Sequence, residues 1–347
     1  MDAERFNCNL LTGLSRKQRE ICTVNPEAMK AVVTGLRNAI FECRSQFADE
    51  RWNCTGENGF GSTPLKVASK ESAYVYALTA AGVSHALAQA CARGLVPDCG
   101  CGDLPKEEYE RTVRSEPQNG LYYDNTPNEF IWAGCSDNVK YGNSFGRRFI
   151  DSNEKQNQVL DARSLMNLHN NRVGRKLLVQ SMEKKCKCHG VSGSCVTKTC
   201  WKAVPNFESF AQTLKKKYQR AKQVTLKPKS TDLMMRVDEY ETVAGPRAER
   251  YLENKIPSEP RMRRAARNDL VFLEESPDYC EPDYNRDIFG PKGRECKDPD
   301  HCQKLCCGRG WETHRELKEE PCNCKFIWCC EVKCDTCVRA VDRHFCR

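Results

Sequence analysis

Cys186-Lys187-Cys188-His189-Gly190-Val191-Ser192-Gly193-Ser194-Cys195-Val196-Thr197-Lys198-Thr199-Cys200-Trp201 sets four cysteines around a small, polar, glycine-containing loop centred on Ser192. Pairing Cys186 with Cys200 and Cys188 with Cys195 would nest two bridges and hold a narrow hairpin. The two pairs are not symmetric about one point, so the hairpin needs a bulge or twist, which the two glycines permit. Gly190, Val191, Ser192, Gly193 and Ser194 are too small to build a core. Two clamps on a tip with no packing value point to the tip itself as what the segment presents. The plainer alternative is a stapled surface turn. The tip also brushes against Gly-x-Ser-x-Gly, the hydrolase nucleophile elbow, but its last position is Ser194 and cysteine rungs replace the strand and helix. His189 has no acidic neighbour in sequence to orient it, so no catalytic residue is expected.

The chain has 347 residues, a length that favours two domains and a substantial core. Charged residues make up 29% and the hydrophobic set 39%, which excludes a membrane-spanning or disordered chain. Cysteine decides the compartment: 24 of them, an even number, read as oxidised pairs in a secreted protein. Zinc would need regular Cys-x2-Cys knuckles, and Cys334 with Cys337 is the one clean example, so no metal is expected. The N-terminus, Met1-Asp2-Ala3-Glu4-Arg5-Phe6-Asn7, holds no apolar export signal; the expectation is a chain whose signal peptide has been removed or left out. Asn53-Cys54-Thr55 is a glycosylation sequon, whereas Asn125-Thr126-Pro127 fails the no-proline test.

Residues 1–225 read as a mostly helical domain. Met29, Val32, Val33, Leu36, Ile40, Cys43 and Phe47 recur with helical period after Pro26, which suits a first turn. Residues 71–93 form an alanine-rich second helix with Tyr74, Val75, Leu78, Ala81 and Leu87 on its face, ended by Gly94 and Pro97. A third helix is predicted over 159–184, weakened in its middle by Gly174, and a fourth over 206–222. Between the second and third, Cys91, Cys99, Cys101 and Cys135 lie among Gly, Pro and Asn, an irregular stapled stretch with a long polar loop at 103–128. Residues 226–268 are cysteine-free, rich in Lys, Arg, Glu and Pro, and read as a linker.

Residues 269–347 hold twelve cysteines in 79 residues, a small module stabilised by bridges of ~2–4 kcal/mol each rather than by a core. Cys322, Cys324, Cys334 and Cys337 are arranged almost symmetrically about Cys329-Cys330. Pairs 322–337 and 324–334 would be rungs of a long hairpin, leaving Cys329 and Cys330 to bond each other in a strained ring. Phe326, Ile327, Trp328 and Val332 at its end cannot be buried by a two-stranded ribbon. Exposed, rigid aromatics there point to a partner's groove; the alternative is that they fold back on the module.

The 186–201 run resembles the signature of the Wnt family of secreted signalling ligands almost residue for residue. Arg51-Trp52-Asn53-Cys54, Phe289-Gly290, Arg294-Glu295-Cys296, Leu305-Cys306-Cys307-Gly308-Arg309-Gly310 and the 322–337 finger carry the resemblance to both ends of the chain. The likeness is weakest at 103–128 and 226–268. It implies an α+β, disulfide-rich, two-domain fold: a helical N-terminal domain with a stapled hairpin, and a small cysteine-rich β-hairpin domain. It implies bridges Cys91–Cys99, Cys101–Cys135, Cys280–Cys307, Cys296–Cys302 and Cys306–Cys346. Cys43–Cys54 is expected with them, and Cys8–Cys22 follows by elimination. It further implies a mono-unsaturated fatty acyl ester on Ser192 in place of any cofactor, and N-glycosylation at Asn53.

By the same resemblance the partner is the cysteine-rich domain of a Frizzled receptor. The acylated tip (His189, Gly190, Val191, Ser192, Gly193) would grip one side, and Phe326, Ile327, Trp328, Cys329, Cys330 and Val332 the other. Co-receptors of the low-density-lipoprotein-receptor-related, Ror or Ryk type, a Porcupine-type acyltransferase and a Wntless-type carrier are implied as well. The formal net charge of +8, with clusters at 215–222 and 261–267, favours anionic partners. Outside the cell these are heparan sulfate chains rather than nucleic acid; the alternative is two solvated basic faces. A disulfide-rich inhibitor or matrix protein would explain the bridges but not the pairing of a serine tip with an aromatic finger.

Overall fold

The computed structural model describes residues 7–8, 11, 13–54, 66–102, 130–155, 160–195, 197–227, 230–236, 262–286, 288–329 and 331–347. The chain divides into two compact units, residues 1–46 with 58–277 and residues 47–57 with 278–347. Both boundaries differ from those expected at 225 and 269.

In the first unit the helices are α1 (Arg16–Val24), α2 (Pro26–Gln46), α3 (Lys70–Ala92), α4 (Val139–Glu154), α5 (Ala162–Gln180) and α6 (Phe207–Gln219). Their starts are written locally. Ser15 and Gln18 close a capping box on α1, Asn138 accepts from the Tyr141 amide, and Asp161 accepts from the Ser164 amide at 2.7 Å. That amide and the neighbouring Ser164 hydroxyl hold the Asp161 carboxyl below its ordinary range.

The alanine-rich α3 is buried nearly all round, and α2, α4, α5 and α6 pack against it. Ridges of alanine bring helix axes close, and each crossing is tightened by a glycine. A Cβ on Gly35 of α2 would strike the Gly82 carbonyl; one on Gly142 of α4, the Ser84 carbonyl; one on Gly174 of α5, the Ala77 carbonyl. Gly174, which weakens a helix considered alone, is thus the residue that lets α5 reach α3. Tyr74, Phe145, Phe149, Leu78, Leu87, Leu178 and Phe210 fill the core between them.

α4 lies between the stapled stretch that ends at Cys135 and the helix expected over 159–184, where no helix was expected. Its apolar stripe is short, Phe145 and Phe149, because the intervening Gly142 and Gly146 face Ser84 directly. Between α4 and α5 the Arg175 guanidinium meets both Asp151 oxygens at 3.0 and 2.8 Å, and Asn171 donates to one of them. Both charges are buried, so each is the other's compensation.

The expected linker is a linker neither at its start nor at its end. β5 (Thr225–Leu226), β6 (Leu233–Arg236) and β7 (Met262–Arg264) form a three-stranded antiparallel sheet, and β4 (Lys222–Gln223) pairs in parallel with β8 (Val271–Phe272). Leu233, Met235, Val224 and Val271 cover Met166 of α5. The Asn170 side chain exchanges two hydrogen bonds with the Val271 backbone at 2.9 and 3.0 Å. Leu233 and Met235 pack against residues at 166, 224 and 271, outside the stretch itself, so 226–268 shows no period of its own and reads as linker. The middle of that stretch, like the whole of the 103–128 loop, lies outside the described residues.

The second unit contains α7 (Pro299–Leu305), β9 (Glu295–Cys296) and the ribbon β10 (Trp311–Ile327) with β11 (Glu331–Cys346). Its small core is Cys296, Cys302, Leu305, Cys306 and Cys346 beside Trp311. Residues 47–57 belong here because charged side chains collect them. Arg294 donates to the Arg51 and Ala48 carbonyls at 2.6 and 2.9 Å, Lys297 meets Asp49 at 2.6 Å, and Arg51 donates to the Lys304 carbonyl. Trp52 stands edge-on to Phe47 with centroids 4.8 Å apart. Among the described residues no helix is long and apolar enough to cross a membrane.

Candidate functional site

The 186–201 stretch forms a hairpin, β2 (Glu183–Cys188) antiparallel to β3 (Thr197–Ala203), with Cys186 directly opposite Cys200. Disulfides join Cys186 to Cys200 and Cys188 to Cys195, with Cα atoms 4.1 and 4.6 Å apart. Cys188 faces Lys198 in the ladder, so its bridge to Cys195 pulls the β3 side back toward the tip. The surplus residues are taken up in a 3-10 turn over Val191–Gly193.

Within that turn Ser192 has φ 55° and ψ 26°, the left-handed region, and Gly193 follows at φ 78°. A serine there costs roughly 1–2 kcal/mol, held only because the surroundings over-determine it. The surroundings are visible. The Gly190 amide donates to the Ser194 carbonyl at 2.8 Å, the Gly193 amide to the Gly190 carbonyl at 3.0 Å, and the Ser194 amide to the Val191 carbonyl at 3.2 Å. A Cβ on Gly190 would lie 2.5 Å from the Ser194 carbonyl oxygen, so only glycine closes this ring. Val191 beside the serine is 90% exposed, and Ser192 itself is exposed. His189 Nε2 is 2.7 Å from the Thr199 hydroxyl, so the ring is engaged across the hairpin.

The base of the hairpin is anchored by residues the sequence reading did not single out. β1 (Phe130–Ala133) runs parallel to β3, which is central, so β2 is one of the two edges, with Lys184, Lys185 and Lys187 along it. The Gly134 amide donates to the Cys200 carbonyl at 2.7 Å, the Lys202 amide to Ser136 Oγ at 3.0 Å, and the Val204 amide to Asp137 Oδ2 at 2.8 Å. The Cys101–Cys135 disulfide ties the same segment down. Ser136-Asp137, two short acceptors beside a cysteine, was the available signal.

In the second unit β10 and β11 pair from Trp311↔Cys346 to Ile327↔Glu331, with a register shift between Cys322 and Lys325. Disulfides Cys322–Cys337 and Cys324–Cys334 flank the shift. Phe326 lies directly opposite Val332, and Trp328 sits in the turn. These side chains do not fold back: Trp328 is 91% exposed and Phe326 71%. Cys329 takes a positive φ of 74° at the turn; the expected Cys329–Cys330 bridge involves Cys330, which lies outside the described residues.

The remaining bridges among the described residues are Cys8–Cys22, Cys91–Cys99, Cys280–Cys307, Cys296–Cys302 and Cys306–Cys346. Cys43 and Cys54 are also disulfide-bonded. Asn53 is half-buried next to Cys54.

Comparison with known proteins follows the same lines. A family model described as the Wnt family matches residues 10–347. The chain is 48% identical over 340 residues to protein mom-2 of Caenorhabditis elegans, covering 98% of this chain and 88% of that protein. A chain in the solved structure of human WLS in complex with WNT8A matches with a TM-score of 0.59 and 34% identity, over 92% of this chain and 93% of the other. An exposed serine on a doubly stapled tip, an aromatic ribbon end and family likeness over nearly every residue converge: the chain belongs to the Wnt family of secreted signalling ligands and is not an enzyme.

Proposed function

We propose that the chain binds the cysteine-rich domain of a Frizzled-type receptor through two contacts, an acyl group on Ser192 and the aromatic end of the β10–β11 ribbon. The observation that carries this reading is the tip backbone. A strained, fully presented serine on a hairpin with no packing role is accounted for by a covalent group that must reach a partner. A sixteen-carbon acyl chain gains on the order of 10 kcal/mol on leaving water, and the tip offers it no pocket. It must therefore enter a membrane, a carrier or a receptor groove.

Trp328, Phe326, Ile327 and Val332 are the second contact, large apolar side chains displayed on a rigid scaffold. Two contacts carried by one chain raise the effective concentration of the second once the first is made. The structural likeness to the WLS–WNT8A complex supports a Wntless-type carrier for the acylated chain during secretion, after a Porcupine-type acyltransferase has acted. Co-receptors of the low-density-lipoprotein-receptor-related, Ror or Ryk type, heparan sulfate, and N-glycosylation at Asn53 belong to the same reading, with signalling through β-catenin or a polarity pathway.

The test is peptide mass spectrometry on protein secreted from animal cells. The peptide holding the Cys188–Cys195 loop should carry a mono-unsaturated sixteen-carbon increment on Ser192. An unmodified Ser192 in fully active protein would remove the lipid from the account.

A further inference from the structure

The chain holds two Arg-Arg pairs, Arg147-Arg148 and Arg263-Arg264, and the structure treats them differently. Arg147-Arg148 lies inside α4 between the core residues Phe145 and Phe149, so its backbone is committed to a helix. Arg263-Arg264 lies in β7, an edge strand of the small β5–β6–β7 sheet, with one side paired to β6. Met262, Arg263 and Arg264 are all exposed, so no apolar side chain pins the strand down. The Arg264 side chain is 72% exposed. By sequence alone, Arg261 adds a third arginine three positions before Arg264.

An endoprotease takes its substrate as an extended strand paired along its cleft, and β7 already has that backbone and a free edge. Little must open to release it. The bonds to break are the short pairing with β6, the Ala265 amide to the Leu233 carbonyl at 2.9 Å, and the Arg264–Asp232 ion pair. That ion pair is exposed and therefore weak. β5, β6 and β7 are two, four and three residues long, a unit small enough to open locally. Lys184-Lys185 is extended too, on β2, but the adjacent Cys186 is tied to Cys200, so that strand cannot peel away. Paired guanidinium forks also match carboxylate-lined subsites better than ammonium groups do.

We infer that the Arg264–Ala265 peptide bond is a processing site for a secretory-route endoprotease whose acidic subsites take paired arginines. Water adds across the bond, leaving a carboxylate on Arg264 and an ammonium on Ala265. The disulfides named above each fall wholly on one side of this bond. Cys43 and Cys54 both precede it. A single cut therefore divides residues 1–264 from 265–347 with none of those bridges joining the pieces. What holds 265–277 in the first unit is hydrogen bonding, His169 Nε2 to the Asp269 carbonyl at 2.9 Å and Asn170 to Val271. Ser192 stays on one piece and Trp328 on the other. On the two-contact reading the cut would uncouple the contacts, but the site itself does not depend on that reading.

The probe is furin, an endoprotease that cuts after paired arginines, acting on the full chain secreted from cells under a convertase inhibitor. The expected products are a new N-terminus at Ala265 and two bands on denaturing electrophoresis without reductant. Arg264→Lys keeps a cation for Asp232 yet should slow the cut more than about tenfold, because the fork is lost. Unchanged secretion and an unchanged circular dichroism spectrum in that variant exclude misfolding as the cause. A chain that stays whole at a furin concentration that cuts a peptide of residues 258–268 overturns the inference. So does a cut at another position, a rate unaffected by Arg264→Lys, or two pieces that remain joined without reductant.

Discussion

On the proposed reading Ser192 is the residue on which function turns, and its backbone is as informative as its hydroxyl. The left-handed turn is maintained by Gly190 and Gly193 on either side, for different reasons: Gly190 because Ser194 leaves no room for a Cβ, Gly193 because of its own positive φ. Gly190→Ala should therefore disturb the tip more than Gly193→Ala, whose cost is about 1 kcal/mol. Hydrogen exchange at the Gly193 and Ser194 amides reads this directly, with faster exchange in the first variant than in the second. Equal protection in both would mean that the Gly190–Ser194 contact is not what closes the turn. The sequence made this residue legible through its cysteine frame, which marks the centre of the loop. The left-handed conformation was not legible, because serine has no propensity for it and the neighbours impose it.

The hairpin as an element depends on two bridges with separate tasks. Cys186–Cys200 lies inside the β2–β3 ladder, which hydrogen bonds and the β1 strand also hold. Cys188–Cys195 closes the tip beyond the ladder, where little else does. Replacing Cys188 and Cys195 together by serine should free the tip at a local cost of about 2–3 kcal/mol, while the thermal midpoint of the helical unit stays unchanged. Amide exchange confined to 188–197, beside an unaltered melting curve, is the expected pattern; loss of the whole transition would contradict it. Helices with strong stripes, at 29–47 and 71–93, were legible because their period is long and regular. α4 and the small sheet of β5, β6 and β7 were not. In α4 glycines replace the apolar positions that would have shown a period, and the sheet is assembled from residues far apart in sequence. The ribbon was legible from cysteine symmetry, whereas the exposure of Trp328 followed from what two strands cannot bury and stood beside the alternative of folding back.

Taken whole, the chain couples a helical unit with its own core to a small unit whose stability rests on bridges. In the helical unit the buried Asp151–Arg175 pair is the most exacting feature. Asp151→Asn strands a buried guanidinium and should cost about 3–5 kcal/mol, seen as a shift of the denaturant midpoint. His85 gives the same unit a pH dependence. Its ring is buried against the Pro205 carbonyl at 2.8 Å, and burial holds its pKa below the ordinary imidazole range. The folded chain keeps it neutral, whereas the unfolded chain takes up a proton near pH ~6.5. The unfolded state thus binds more protons as pH falls through that value, and stability is lost on acidification. His85→Gln should flatten the fall in melting temperature between about pH 7.5 and about 5.5, a range in which wild-type histidine changes charge.

The most direct measurement of the central claim is the affinity of the secreted chain for an isolated Frizzled cysteine-rich domain, wild type against Ser192→Ala and Trp328→Ala. Loss of the acyl group should weaken binding by more than about a hundredfold, and loss of the exposed indole by about tenfold or more, both with unchanged stability. Unchanged affinity in Ser192→Ala would contradict the account, whatever the ribbon end contributes.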